Sequence, residues 1–427
     1  MSNVFKSRNF RLVFLGALVS DLGAVLYSFA VSFYILEITN NNAFLQGLYL
    51  ALCGAVLLIL TPVGGVLGDR FNKARIMFLC DYAKGGLILI ATVLMLLLPA
   101  KSAHVVILFV IGILGNAVSG IFAPAAGAIF PHIVEENQLQ QANAYFSLKS
   151  SLQSILGVIL AGILYALLPI QLLFLFIGLC YVASGVSEMF IRYAYGPSEE
   201  NLTLHLMFTD MKDGLDYLRS QKALLALMGS ILFINFFMSP VSGNFMPYFI
   251  KTDVQGSASY LFDRFLTPEL WSSVFGMIFG LSSLVTSAIL SARPQKEKCG
   301  HTTALWLLAI AGVMIELTLS YWVLVSHSVS LNTFIILFNV DLIIIGFLIP
   351  LINIPASTVL MRIVDKDKLS KVGSIVNVCS QGLIPIASVL AGGLLQYMGS
   401  TVLLAFCTVG FTVTALLLLS NKKVKEI

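Results

Sequence analysis

Four carboxylates fall where a carboxylate is expensive. Asp21, Asp81, Glu316 and Asp341 each lie inside a long apolar stretch of the chain. A charge at the centre of a hydrocarbon layer costs about 3 kcal/mol even on the mildest scale. Burial also favours the neutral acid, so a carboxyl kept in such a place can load and release a proton or hold a cation. Asp21 is the first candidate for that coupling role, Asp341 follows, and Glu316 is the third, in a position that suits a structural hydrogen bond as well. Asp81 with Lys84 three residues on, and Glu188 with Arg192 four residues on, have cations at helical spacing and are expected to pair locally. Metal-ligand spacing and a nucleophile with its base are both missing, which argues against an enzyme, a resident metal or a cofactor.

The elements that must position these acids follow from composition. The chain is 58% hydrophobic and 11% charged, against about 25% charged residues in an ordinary soluble domain. A bilayer crossing takes about 20 apolar residues, so 427 residues with short polar breaks leave room for about twelve crossings. Lys6, Arg8 and Arg11 precede the first segment, and Arg70, Lys73, Arg75, Lys212, Arg219, Arg293, Lys296, Arg362, Lys366 and Lys422 fall in alternate breaks. Only Lys101, Lys251 and Arg264 fall in the others. The positive-inside rule then puts both termini in the cytoplasm and demands an even number of spans. The basic residues report orientation and do not call for nucleic acid. Five of the six cysteines lie in apolar stretches, with no disulfide framework. The first apolar segment runs past residue 30 without a small-residue cleavage site and reads as a retained span.

Between the second and third apolar segments the run from Gly64 to Arg75 reads as a polar turn with three glycines, one carboxylate and three cations. This stretch resembles the G-x-L-a-D-R-x-g-r-k loop of major facilitator superfamily transporters. Gly65, Leu67, Asp69, Arg70 and Lys73 fall on the pattern, and Asn72 and Ala74 depart from it. Asn9-Phe10-Arg11-Leu12 with Ser20-Asp21-Leu22-Gly23, and the run Pro124 to Leu139 followed by Ala142-Asn143, are similar to the macrolide-efflux and siderophore-exporter branch of the drug:proton antiporters.

The resemblance implies an all-α integral membrane protein with twelve transmembrane helices in two pseudo-symmetric six-helix bundles, residues 1–195 and 224–427. Residues 196–223 are the expected cytoplasmic linker, with Phe208, Met211, Leu215 and Leu218 at amphipathic helical spacing. A weak internal repeat, Pro355-Ala356 to Leu369 against Pro124-Ala125 to Leu139, supports two related halves. The tenth segment is long enough that it must tilt or break at Pro350 or Pro355. Gly65, Asp69, Arg70 and Lys73 become a conformational latch, with Asp69 meeting the positive end of span 11 near Lys371 to Ser374. Tyr27, Asn116, Asn235, Asn339, Asn377 and Gln381 become candidates for a cavity with aromatic walls and a few amides.

The function so implied is alternating-access export of an amphipathic, drug-like small molecule, with protons as coupling ion. The protein is expected to be a monomer in the bacterial inner membrane, with the lipid bilayer as its other partner. A lipid, lysophospholipid or siderophore exporter is the alternative within transport, and a non-transporting sensor with the same fold is the alternative outside it.

Overall fold

The computed structural model describes residues 4–129, 152–192, 222–291, 300–363 and 380–420, with a few positions between 133 and 150 and Val378. Within these residues all regular secondary structure is helical. Helices α1 (Arg8–Ile38), α2 (Ala43–Arg70), α3 (Lys73–Leu97) and α4 (Lys101–Ala128) follow one another with short turns. Next come α5 (Val158–Leu167), entered through a π-type turn at Gln153–Gly157, and α6 (Ile170–Met189). Helix α7 (Lys222–Pro240) continues through Val241–Phe245, Met246–Phe249 and Ile250–Val254, the first and last of them π-type. The series closes with α8 (Pro268–Ser291), α9 (Gly300–Val325), α10 (Leu331–Ile363), α11 (Ile384–Met398) and α12 (Ser400–Ser420).

Among the described residues nine helices are long and apolar enough to cross a membrane. Their outward faces carry large apolar side chains: Ile59, Leu97, Leu167, Val409 and Leu417 are each more than half exposed. Such a surface is untenable in water and ordinary in lipid. Local chemistry sets the helix ends. Ser7 accepts from the Phe10 amide to start α1, and Asn72 accepts from the Arg75 amide to start α3. Gly399, at φ +87°, stops α11 and lets α12 start at the next residue.

The tenth span runs unbroken for 33 residues through Pro350 and Pro355, so the expected break is absent and its excess length is a matter of tilt or overhang. Residues 196–221 of the expected linker lie outside the described residues.

The chain forms two compact units. One comprises Met1–Asn41 and Leu52–Leu202, the other Asn42–Ala51 and Thr203–Ile427. In the first, Phe10, Met77, Ala125 and Ile129 build a core at the start of α1, α3 and the end of α4. In the second, Phe245, Phe249, Phe275 and Phe334 are fully buried, joined by Tyr321 and Phe338 in a run of edge-to-face and stacked rings.

The connection after α7 is a packed turn. Lys251 and Glu269 pair at 2.9 Å across it, the Tyr260 hydroxyl donates to the Leu266 carbonyl, and the Trp271 indole donates to the Leu261 carbonyl.

Adjacent glycines at the end of α2 do different work. A methyl on Gly64 would fall 2.3 Å from the Gly120 carbonyl oxygen and 2.7 Å from the Ile121 Cα, whereas one on Gly65 would meet nothing within 4 Å. Gly64→Ala must therefore push α2 off α4 at a cost of about 1–3 kcal/mol. Gly65→Ala is neutral or slightly stabilising through helix propensity. Thermal unfolding of the two purified variants should separate them, and equal midpoints would reject the close approach.

Candidate functional site

Helices α1, α3 and α6 of the first unit meet through small residues. A methyl on Gly16 would lie 3.2 Å from Glu188 Cγ and 3.3 Å from Ser184 Oγ, one on Gly185 would lie 3.0 Å from the Tyr82 ring, and one on Gly85 would strike Val182 at 2.8 Å. This near-contact of backbones carries several ionisable side chains into one place. Asp21 of α1 forms an ion pair with Lys149, and the Gln153 amide donates to the Asp21 main-chain carbonyl at 2.9 Å. The Asp21 side chain is 36% exposed, the Lys149 side chain 6%. Lys149 was not among the residues singled out from sequence; a lysine inside the fifth apolar segment, opposite an unexplained acid, is the signal that could have found it.

Both expected local pairs are absent. The Lys84 ammonium lies over the Phe122 and Tyr181 rings at 5.2 and 5.3 Å, and neither carboxyl oxygen of Asp81 has a hydrogen-bond partner. Glu188 cannot reach Arg192 along a helix because α6 ends at Met189; the Arg192 amide and carbonyl are tied instead to the Asn9 side chain. Asp81 and Glu188 are fully buried. Sequence spacing assigned them local partners, whereas the fold brings them within electrostatic range of each other, of Lys84 and of Asp21.

In the second unit Glu316 of α9 and Asp341 of α10 lie within hydrogen-bonding reach. Asp341 is 3% exposed, and one oxygen of each acid, Glu316 Oε2 and Asp341 Oδ2, is buried without a partner. The sequence presented these two acids as separate candidates; packing of α9 on α10 makes them a pair.

The cavity candidates are distributed over both units. Tyr27 packs on Phe174 with ring centroids 5.7 Å apart, and Asn116 donates to the Gly112 carbonyl. Asn235 donates to the Ser380 carbonyl at 3.0 Å. Asn339 donates to the Ile335 carbonyl, and its own buried side-chain oxygen is unpartnered. Gln381 is exposed and Asn377 lies outside the described residues. Of the hinge, Gly65 faces open space and Lys73 is buried at the start of α3. Asp69 and Arg70 close α2. The expected partner of Asp69 at Lys371 to Ser374 lies outside the described residues.

Comparison with known proteins gives this geometry a context. The family model described as Major Facilitator Superfamily matches residues 13–388. Over 253 residues the chain is 26% identical to macrolide efflux protein A of Streptococcus pyogenes, a match covering 57% of this chain and 60% of that one. Over 159 residues it is 30% identical to the enterobactin exporter EntS of Shigella boydii serotype 4 (strain Sb227), covering 37% of each chain. The fold is similar to that of a bacterial homologue of the iron transporter ferroportin in its inward-facing state, with a TM-score of 0.72, 14% identity and coverage of 97% of this chain and 99% of that one.

The Asp21–Lys149 pair is open to a double-mutant test. Lys149→Met leaves the one-third-exposed Asp21 carboxylate without its cation and should lower stability by about 1 kcal/mol, and Asp21→Asn in the same chain should recover most of that loss. Additive losses in thermal or denaturant unfolding would show that the pair contributes nothing.

Proposed function

This chain belongs to the Major Facilitator Superfamily, and from that premise we propose that it exports an amphipathic small molecule by alternating access, exchanging it for protons. It is a multi-pass membrane transporter, not an enzyme. The efflux proteins among its relatives support the export direction and a drug-like cargo. The basic residues of alternate breaks support an inner-membrane orientation with both termini cytoplasmic. The halves that rock against each other in this reading are residues 1–195 and 224–427, joined by the linker at 196–223, in a protein that works as a monomer.

The observation that carries proton coupling is the pairing of half-buried Glu316 with buried Asp341. Two carboxylates within hydrogen-bonding reach in a low-dielectric span resist being ionised together, so in this reading the pair holds a proton when sealed from water. Opening toward the outer, proton-rich side loads it. Opening toward the cytoplasm releases it. Asp21, partly exposed and neutralised by Lys149, is the matching acid of the first unit. The cavity is assigned to Tyr27, Asn116, Asn235, Asn339, Asn377 and Gln381, whose amides and aromatic ring suit a bulky cargo with few polar groups.

Gly65, Asp69, Arg70 and Lys73 serve as the latch. A carboxylate on a helix N-terminus contributes about 0.3–1 kcal/mol when exposed and up to about 2 kcal/mol when partly buried, which shifts a balanced equilibrium several-fold.

Accumulation of macrolides, dyes and lysolipids in an efflux-deficient bacterial host tests the reading. The wild type should lower accumulation of at least one cargo class, and an uncoupler should abolish the effect. Asp341→Asn and Glu316→Gln should each remove uncoupler-sensitive export while leaving the protein in the membrane. Uncoupler-insensitive export, or wild-type export by both variants, would remove the pair from coupling. Export confined to a siderophore or a lysolipid would move the cargo to the alternative class. Asp69→Asn should slow export several-fold without changing the amount of folded protein, and unchanged turnover would reject the latch.

A further inference from the structure

The first unit holds a second, drier group of acids that the export reading does not use. Asp81 and Glu188 are fully buried, and none of their four carboxyl oxygens has a hydrogen-bond partner. Ser184 lies within hydrogen-bonding reach of Asp81, but its one proton and the other nearby donors point elsewhere. The Ser184 hydroxyl donates to the Gly16 carbonyl at 2.9 Å, the Ser187 hydroxyl donates to the Leu12 carbonyl at 3.0 Å, and the Lys84 ammonium faces two aromatic rings. Lys149 is taken by Asp21.

The charges in reach of the two acids can be named element by element. Helix α3 contributes Lys84 and Cys80, α1 contributes Asp21, and α6 contributes Cys180 and Tyr181. Lys149 enters through its pairing with Asp21, and α4 presents the apolar Phe122 ring. The thiols and the phenol are neutral at pH 7. That leaves three acids, Asp21, Asp81 and Glu188, against two ammonium groups, Lys84 and Lys149. One negative charge is unbalanced in a region with no water-facing outlet for Asp81 or Glu188. An uncompensated buried charge is the costliest arrangement a fold can hold.

We propose that Asp81 and Glu188 form a proton-binding site that holds one proton between them when α1, α3 and α6 are packed together. One proton makes the group neutral, and it supplies the missing hydrogen-bond donor to the pair. A metal cation fits less well, because the neighbouring oxygens of Gly16 and Leu12 are engaged by serine hydroxyls, and no metal-holding group of acids, histidines and cysteines occurs among the described residues. The site is closed by backbone approach at Gly16, Gly85 and Gly185, so the proton can exchange only when these helices separate. That this exchange accompanies cargo movement rests on the export reading. That the proton is held does not.

Infrared difference spectroscopy on the full-length protein in lipid nanodiscs reads the proton directly, through the carbonyl stretch of a protonated carboxyl and its shift in heavy water. At neutral pH, wild type minus Asp81→Asn and wild type minus Glu188→Gln should each show one protonated-carboxyl band lost, because either substitution leaves two acids against two ammonium groups. Lys84→Gln should change the count in the opposite direction and gain one such band. This third variant tests the idea even where a carboxyl substitution fails to fold, which size-exclusion chromatography would reveal. Absence of any lost band together with no gain in Lys84→Gln would overturn the site. A band that appears in the wild type only after sodium is removed would overturn the proton in favour of a metal cation. The spectra are independent of the accumulation assay, so failure of the export reading and failure of this one are separate results.

Discussion

Hydrocarbon offers a buried carboxylate nothing to bond to, so each acid in a span must find a cation, keep a proton or face water, and the helix contacts of this chain follow those three outcomes. Asp21 finds Lys149 and keeps part of its surface exposed. Glu316 and Asp341 find each other. Asp81 and Glu188 find each other, Lys84 and Asp21 at electrostatic range, and their carboxyl oxygens have no hydrogen-bond partner. The close packing of α1, α3 and α6 at glycine makes this possible. Larger residues at Gly16, Gly85 or Gly185 would hold the helices apart and let water or lipid reach the acids.

Much of the architecture was legible because a bilayer imposes one length and one composition on every crossing. The apolar segments and most of their polar breaks could be placed from the chain alone, and the Major Facilitator Superfamily match agrees with that reading; the turn read over Gly64 to Arg75 is shorter than expected, because α2 runs on to Arg70 and α3 starts at Lys73. Contacts between helices were another matter. Spacing along a chain reveals neighbours three or four residues apart on one helix, so Asp81 was given Lys84 and Glu188 was given Arg192. Asp81 keeps Lys84 only at electrostatic range, and the other charges near the two acids, Asp21 and each other, come from different helices. The second of those local pairs also assumed that α6 continued past Met189, and element ends are the part of a helix that sequence specifies least.

The paired glycines show the same limit at finer scale. Gly64 and Gly65 are indistinguishable in a motif, and the motif draws attention to Gly65. Only the placement of α4 shows that Gly64 bears the close approach, against Gly120 and Ile121. A similar distinction separates Pro350 and Pro355 from helix breakers. In a span the lost amide can be tolerated when neighbouring helices protect the backbone, and α10 passes through both residues.

The two kinds of acid site in the first unit divide what a transporter needs from a carboxyl group. Asp21, one-third exposed and held by a lysine, can change partners without any helix moving, which suits a group that meets cargo or bulk water. Asp81 and Glu188 cannot, because every oxygen is buried and the helices around them touch through glycine. A proton there is released only by a change in packing, and a change in packing is resisted while the negative charge it would leave behind stays dry. The acid pair and the glycine contacts therefore stabilise each other. Whatever separates α1, α3 and α6 is thereby tied to the protonation of a site that cargo does not have to touch.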